Sequence, residues 1–125
     1  MTTAKKVLWA GYVMSALPVV MLLFSGTMKL VRPPSVTEGF AHLGYDDSVA
    51  LGLGMVELFS TILYVIPRTS VLGAILLTGY LGGATATHLR IGEPFHMAVL
   101  LGLLAWGGLY CRDERVRQLL PLRAP

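Results

Sequence analysis

Four long stretches of this sequence contain no lysine, arginine or aspartate, and they constrain the fold more than any other feature. They cover residues 7–28, 48–67, 69–89 and 94–111, and the only carboxylate inside them is Glu57. An α-helix needs roughly 20 residues to cross a hydrocarbon core about 30 Å thick, so each stretch is long enough to span a membrane. A soluble domain can bury one such helix but not four in succession. The sequence therefore predicts an all-α integral membrane protein, a bundle of four transmembrane helices.

The composition leads to the same class of protein. Of the 125 residues, 54% are hydrophobic and 14% are charged, whereas a typical soluble domain has about 25% charged residues. The mean hydropathy of +0.67 is too high for a chain this short to cover its core with polar surface. Cys111 is the only cysteine, which excludes an internal disulfide and a cysteine zinc site. We expect one membrane domain over residues 1–125, with no nucleic-acid-binding surface.

The charges and prolines set the expected boundaries of the helices. Transmembrane helices are expected at about 7–30, 48–66, 70–89 and 94–111, followed by a cytoplasmic tail at 112–125. The first apolar run is longer than the 7–15 residues typical of a signal peptide, so we expect it to remain as a membrane helix.

The distribution of basic residues predicts the orientation. Seven of the ten lysines and arginines lie on the side that holds the N-terminus, the turn near residue 68 and the C-terminal tail. The positive-inside rule then predicts a multi-pass protein of the plasma (inner) membrane with both termini in the cytoplasm. The basic tail is expected either to contact anionic lipid headgroups or to be a plain solvated end.

The long connection between the first two spans contains a helix signal of its own. Residues 35–38 read Ser-Val-Thr-Glu, which matches a capping box, and Phe40 and Leu43 give the segment an apolar face. We expect a short amphipathic helix at about 35–43 that lies across the outer mouth of the bundle.

Small residues in the spans predict where helices approach one another closely. Gly11 and Ser15 are one such pair, and residues 79–86 of the third span are rich in glycine and alanine. Because transmembrane helices pack through small residues, we expect the third span to be the central packing surface.

Glu57 is the main candidate for a functional side chain. It lies about 12 Å inside the second span, counted from residue 49 at 1.5 Å per residue. A carboxylate at such a depth costs at least ~2.5 kcal/mol and usually faces a cavity or a partner. Ser60, Thr61 and Tyr64 follow on the same helix face and are candidate ligand-binding residues. The alternative is that Glu57 only joins two helices through a hydrogen bond.

Two further side chains are candidates for the same pocket. On the first span, Lys29 follows Ser25 on a polar stripe, and on the third span His88 follows Thr85. Glu57 and His88 are the candidate proton-handling pair, and Lys29, Ser25 and Thr85 are candidate ligand-binding residues. The heights of Lys29 and His88 leave about 10 Å to Glu57. We expect no metal, because no third ligand accompanies the histidines at a known spacing.

In the order of its motifs the sequence resembles the DoxX and DoxX-like membrane proteins. The motifs are FSGTMKL at residues 24–30, GFAHLGY at 39–45, Glu57, and GGATATH at 82–88. The resemblance implies a four-helix bundle with a polar cluster of Lys29, Glu57 and His88 in its outer half. It also implies a link to thiosulfate:quinone oxidoreduction or to protection against oxidative stress, and, in distant relatives, to receptor assembly.

Three functions agree with these residues. The first is a small subunit or accessory protein that binds a quinone-like lipophile, with no cofactor held by the chain alone and electrons supplied by a soluble or membrane oxidoreductase partner. The second is a non-catalytic assembly factor that docks partners or a second copy of itself. The third is an acid–base enzyme acting on a small lipophilic substrate, such as an isomerase, a cyclase or an epoxide-opening enzyme.

Overall fold

A computed structural model describes residues 2–125 of the chain, and this part is helical throughout, with no strand. The helices are α1 (Thr3–Val31), α2 (Pro34–His42), α3 (Ser48–Val65), α4 (Ser70–Arg90), α5 (His96–Arg112) and α6 (Glu114–Leu119). A single 3₁₀ turn, Pro67–Thr69, joins α3 to α4. The all-α prediction is therefore confirmed.

Three helical segments are long and apolar enough to cross a membrane. They are Thr3–Val31, Ser48–Val65 and Pro67–Arg90, while α5 has 17 residues. Large apolar side chains cover the outside of these helices; Phe24 is 67% exposed and Leu103 on α5 is 65% exposed. A soluble monomer rarely presents so much apolar surface, so the exposed side chains indicate a membrane-embedded protein.

The four long helices pack around one core. α1 contacts α3 and α5, and α4 contacts the same two helices, so that each long helix has two neighbours. The core between them contains Leu22, Tyr64, Leu77 and Leu109, each at most 2% exposed. We call the end where α1 begins and α5 ends the terminal end, and the opposite end, which carries α2, the loop end.

Glycines permit the close approaches between helices. A Cβ on Gly73 would lie 2.2 Å from the backbone nitrogen of Tyr64, at the contact of α4 with α3. A Cβ on Gly108 would lie 2.2 Å from Ser15 Oγ, at the contact of α5 with α1. Larger side chains at these positions would force the helices apart, as expected for helices that pack through small residues.

The expectation that the glycine-rich part of the third span is the central packing surface is wrong. A Cβ added to any of three α4 glycines would have no atom of another helix or loop within 4 Å; these are Gly79, Gly82 and Gly83. The close contact of α4 with α3 lies instead at Gly73, near the tight turn that joins the two helices. The later glycines leave space beside α4.

The helix in the first loop begins differently from the sequence prediction. α2 starts at Pro34 with Pro33 as its N-cap, and no side chain caps it. The Ser35–Glu38 capping box is therefore not formed, because the two prolines already hold the backbone in the conformation that starts the helix one residue earlier. Phe40 is the buried residue of α2 and is 6% exposed.

The tail also contains a helix that the sequence did not predict. Asp113 caps α6, with its carboxylate accepting a hydrogen bond from the Arg115 amide at 2.9 Å. Val116 is 5% exposed and anchors α6 to the core.

Candidate ligand-binding site

A buried ion pair joins α1 to α3 in the loop half of the molecule. Lys29 Nζ lies 3.0 Å from Glu57 Oε2, with the lysine side chain 16% exposed and the glutamate side chain 1% exposed. Lys29 also donates to Ser25 Oγ at 2.7 Å, and the Ser25 hydroxyl donates to Glu57 Oε2 at 3.3 Å. The two charges therefore neutralise each other, and a serine one turn before the lysine connects them.

The helices come close enough for this pair because of two glycines. Gly26 is three residues before Lys29, and Gly54 is three residues before Glu57. A Cβ on Gly54 would lie 2.9 Å from Lys29 Cβ and 3.0 Å from the Gly26 carbonyl oxygen. The glycine contact holds α1 against α3 one turn from the charges, which lets the flexible lysine side chain reach the carboxylate.

Tyr80 on α4 completes the cluster. Its hydroxyl donates to Glu57 Oε2 at 3.2 Å, and Lys29 Nζ lies 5.8 Å from the centre of its ring. One carboxylate oxygen thus accepts from a lysine, a serine and a tyrosine on two helices. Among the residues described, no buried polar side-chain atom lacks a hydrogen-bond partner.

Sequence reasoning missed Tyr80, although a signal for it exists. The predicted stripe on the third span ran through Thr85 and His88, whereas the face that meets the cluster is Tyr80, Ala84 and His88, spaced four residues apart. Tyr80 lies two turns before His88 at the polar end of α4 and on the same helix face, and this spacing would have identified it.

A cavity of about 630 Å³ adjoins this cluster. Its polar end is formed by Ser25, Lys29 and Tyr80, and its walls are mainly apolar. The other lining residues come from α2 and the residues after it (Val36, Gly39, Phe40, His42, Leu43, Tyr45), α3 (Leu53, Val56), α4 (Gly79, Gly83, Ala84, Thr87, His88) and the α4–α5 turn (Glu93). The space beside Gly79 and Gly83 on α4 is therefore part of this cavity.

Polar contacts hold α2 over the cavity. His42 is hydrogen-bonded to Glu93 in the α4–α5 turn, and Arg90 donates to the Leu43 carbonyl. The Tyr45 and Thr87 hydroxyls lie 3.1 Å apart within hydrogen-bond distance. These contacts tie both the end of α2 and the following loop to the end of α4.

His88 lies at the cavity wall but forms no hydrogen bond with Glu57. Its Nδ1 is 2.8 Å from the Ala84 carbonyl oxygen. Since a carbonyl oxygen only accepts, Nδ1 is assigned as the protonated nitrogen, which leaves Nε2 free to accept or, in the charged ring, to donate. The structure thus brings Lys29, Ser25 and Glu57 together, with His88 at the wall of the adjoining cavity.

Four other predicted ligand-binding residues do not line the cavity: Ser60, Thr61, Tyr64 and Thr85. Ser60 and Thr61 donate to the carbonyls of Val56 and Glu57 at 2.7 Å within their own helix. Thr85 likewise donates to the Leu81 carbonyl at 2.8 Å. A hydroxyl in a membrane helix has no water nearby and so bonds to the preceding turn.

Tyr64 belongs to a different cluster at the terminal end. Its hydroxyl lies 2.6 Å from the Ala105 carbonyl oxygen and 3.0 Å from Ser15 Oγ. Arg112 Nε donates to the same Ser15 oxygen at 3.0 Å. This cluster joins three helices and contains no cavity-lining residue.

The cavity combines polar groups at one end with mainly apolar walls. Lys29 and Tyr80 present an ammonium and a hydroxyl at one end of an apolar space, and His88 presents an imidazole at its wall. No group of three His, Cys, Asp or Glu side chains suited to a metal ion occurs in residues 2–125.

The chain also matches a known protein family. The DoxX-like family matches residues 13–108, which is most of the chain and includes all the residues of the ion-pair cluster. The chain belongs to the DoxX-like family. The resemblance inferred from the motifs at residues 24–30, 39–45 and 82–88 is therefore confirmed. No curated protein and no solved structure matches this chain.

Proposed function

We propose that this DoxX-like protein spans the plasma (inner) membrane as a bundle of four helices with both termini in the cytoplasm. In this proposal α2 lies across the outer mouth of the bundle. The protein binds a lipophilic, quinone-like molecule beneath α2 and serves as a small subunit or accessory protein of an oxidoreductase.

The cavity of about 630 Å³ beside the Lys29–Glu57 pair carries this proposal. A mainly apolar pocket with a few converging polar groups is the usual form of a small-molecule site. A ring carbonyl accepts hydrogen bonds, and the Lys29 ammonium, which donates to Ser25 and Glu57, has a third N–H group left to donate to it. The apolar walls suit a hydrocarbon ring or chain that arrives from the bilayer.

Each polar residue has a distinct part in this proposal. Reduction of a quinone takes up electrons and protons, and in this proposal a partner oxidoreductase supplies the electrons. Lys29 orients the head group through a hydrogen bond, and Tyr80 holds the Glu57 carboxylate in place with its hydroxyl. His88, with its free Nε2, exchanges a proton with the head group, and Glu57 stabilises the charge on Lys29.

Mass spectrometry of small molecules that remain bound after purification in native lipid tests this proposal. We expect a stoichiometric quinone in the wild type and its loss in Glu57→Gln and Tyr80→Phe. Tyr64→Phe is the matched control, since it also removes a buried tyrosine hydroxyl but one that lies outside the cavity; it should retain the quinone.

Other results would contradict the proposal in different ways. A co-purifying protein with no bound small molecule would favour the assembly factor. Retention of the quinone in both Glu57→Gln and Tyr80→Phe would exclude the polar cluster from ligand binding.

A further inference from the structure

A second cavity lies at the terminal end of the molecule, far from the ion-pair cluster. Its volume is about 640 Å³. It lies between the turn before α4, the first turns of α4, the middle of α5 and α6. Its lining residues are Pro67, Arg68, Val71, Ile75, Trp106, Asp113, Arg115, Val116, Leu119 and Leu120.

One side of this cavity is apolar and continuous with the membrane-facing surface. Val71 is 40% exposed, Ile75 is 54% exposed and Leu119 is 59% exposed. The indole of Trp106 is fixed by a hydrogen bond from Nε1 to Thr78 Oγ1 at 2.7 Å. A hydrocarbon chain lying along these side chains would remain in contact with the bilayer.

The other side of the cavity carries two arginines whose charges are unpaired. Among residues 2–125, no carboxylate forms an ion pair with the side chain of Arg68 or Arg115. The one carboxylate that lines the cavity, Asp113, already accepts the Arg115 amide hydrogen at the start of α6. Two guanidinium groups beside an apolar wall match an anionic head group with an acyl chain.

We propose that this cavity binds one anionic phospholipid. Its phosphate lies between Arg68 and Arg115, and one acyl chain runs along Val71, Ile75 and Trp106. The buried Val116 holds α6 in place, and α6 in turn holds Arg115 at the edge of the cavity. The proposal rests on the embedding of the chain in a membrane and is independent of the ligand in the first cavity.

Native mass spectrometry of the purified chain in detergent tests the proposal. The probes are phosphatidylglycerol and phosphatidylcholine with identical acyl chains, added in separate titrations. We expect one phosphatidylglycerol to bind more tightly than phosphatidylcholine. Each arginine near an anionic head group contributes about a fivefold gain in affinity, so Arg68→Gln with Arg115→Gln should lower phosphatidylglycerol affinity about 25-fold.

Lys5→Gln with Lys6→Gln is the matched control, because it removes two positive charges at the same end but outside the cavity. We expect less than about a twofold change in this variant. A third variant, Ile75→Trp, fills the apolar side without changing any charge and should weaken both lipids. All five substituted positions are exposed, so the fold should survive the three variants.

Three results would overturn the proposal. Equal losses in the arginine and lysine double variants would mean that only the general positive charge attracts the lipid. Equal affinity of the wild type for the two lipids would mean that the arginines do not select the head group. A dimer that excludes lipid, and that Ile75→Trp dissociates, would mean that a second copy of the chain covers the cavity.

Discussion

Removal of one member of the Lys29–Glu57 pair should reveal an asymmetry between its two charges. Loss of a partner from a buried ion pair costs about 3–5 kcal/mol, because a buried charge is left uncompensated. The glutamate side chain is 1% exposed and the lysine side chain is 16% exposed. The lysine is also near the end of α1, where a long side chain can redirect its ammonium toward the membrane surface.

Lys29→Met should therefore be the more damaging substitution. It leaves Glu57 with only Ser25 and Tyr80 as donors, and we expect a loss of about 3–5 kcal/mol in the free energy of unfolding. Glu57→Gln keeps an oxygen that accepts from Lys29 and Tyr80, and the free ammonium can move outward. We expect this variant to lose about 1–3 kcal/mol.

The double variant distinguishes coupling from simple loss of packing. Lys29→Met with Glu57→Gln removes both charges, so it should be more stable than Lys29→Met alone. The measurement is the reversible unfolding of the purified protein in mixed micelles as the fraction of denaturing detergent rises. Additive losses from the two single substitutions would show that the charges are not coupled in the folded protein.

An exposed ion pair elsewhere in the chain supplies the control. Arg32 and Asp47 lie 3.6 Å apart with side chains 42% and 41% exposed. Such a pair contributes about 0–1 kcal/mol, so Arg32→Gln should hardly change the unfolding transition. A loss in Lys29→Met no larger than that in Arg32→Gln would refute the reasoning.

Three further predictions concern packing and the cavity. Gly73→Ala should destabilise the fold by about 1–3 kcal/mol, because its Cβ would meet the Tyr64 backbone. Gly82→Ala has open space around it and should stabilise the helix by up to about 1 kcal/mol. Thermal unfolding measures both changes. Gly83→Leu should place a side chain in the first cavity and abolish retention of the lipophile without lowering the unfolding temperature. Tyr64→Phe should cost about 1–3 kcal/mol of stability, because it removes the buried hydroxyl that bonds to the Ala105 carbonyl oxygen and to Ser15, without reducing retention of the lipophile. An unstable Gly82→Ala, a Gly83→Leu that keeps its ligand, or a Tyr64→Phe that loses it would contradict the corresponding argument.

The sequence was sufficient to predict an all-α fold, because charged side chains divide the chain into apolar runs. It also identified Glu57, since a lone carboxylate in such a run needs a partner. The sequence predicted a difference in height of about 10 Å between Lys29 and Glu57 along the helix axes. That difference counts only the helical rise and not the length of the lysine side chain, which reaches the carboxylate. The Gly26–Gly54 contact, which brings the helices together, depends on the rotation of each helix about its axis.

That rotation is also why other parts of the site were not predicted. A helix of small and weakly polar residues has no clear apolar face, so the sequence did not show whether Tyr80 or Thr85 points inward on α4. The same uncertainty led to the prediction that Gly79 and Gly83 pack in the core, whereas they lie beside the cavity. The helix α6 was missed because a short charged tail gives little sign that Val116 is buried.

The pairing of Lys29 with Glu57 has a consequence for the biogenesis of the protein. The two residues are on α1 and α3, which precede α4 and α5 in the chain, so the two charges can meet before α4 and α5 have been synthesised. An early helical hairpin would therefore enter the bilayer with its two opposite charges already neutralised. The cluster of Ser15, Tyr64 and Arg112 needs α5 and can form only when synthesis of the bundle is almost finished.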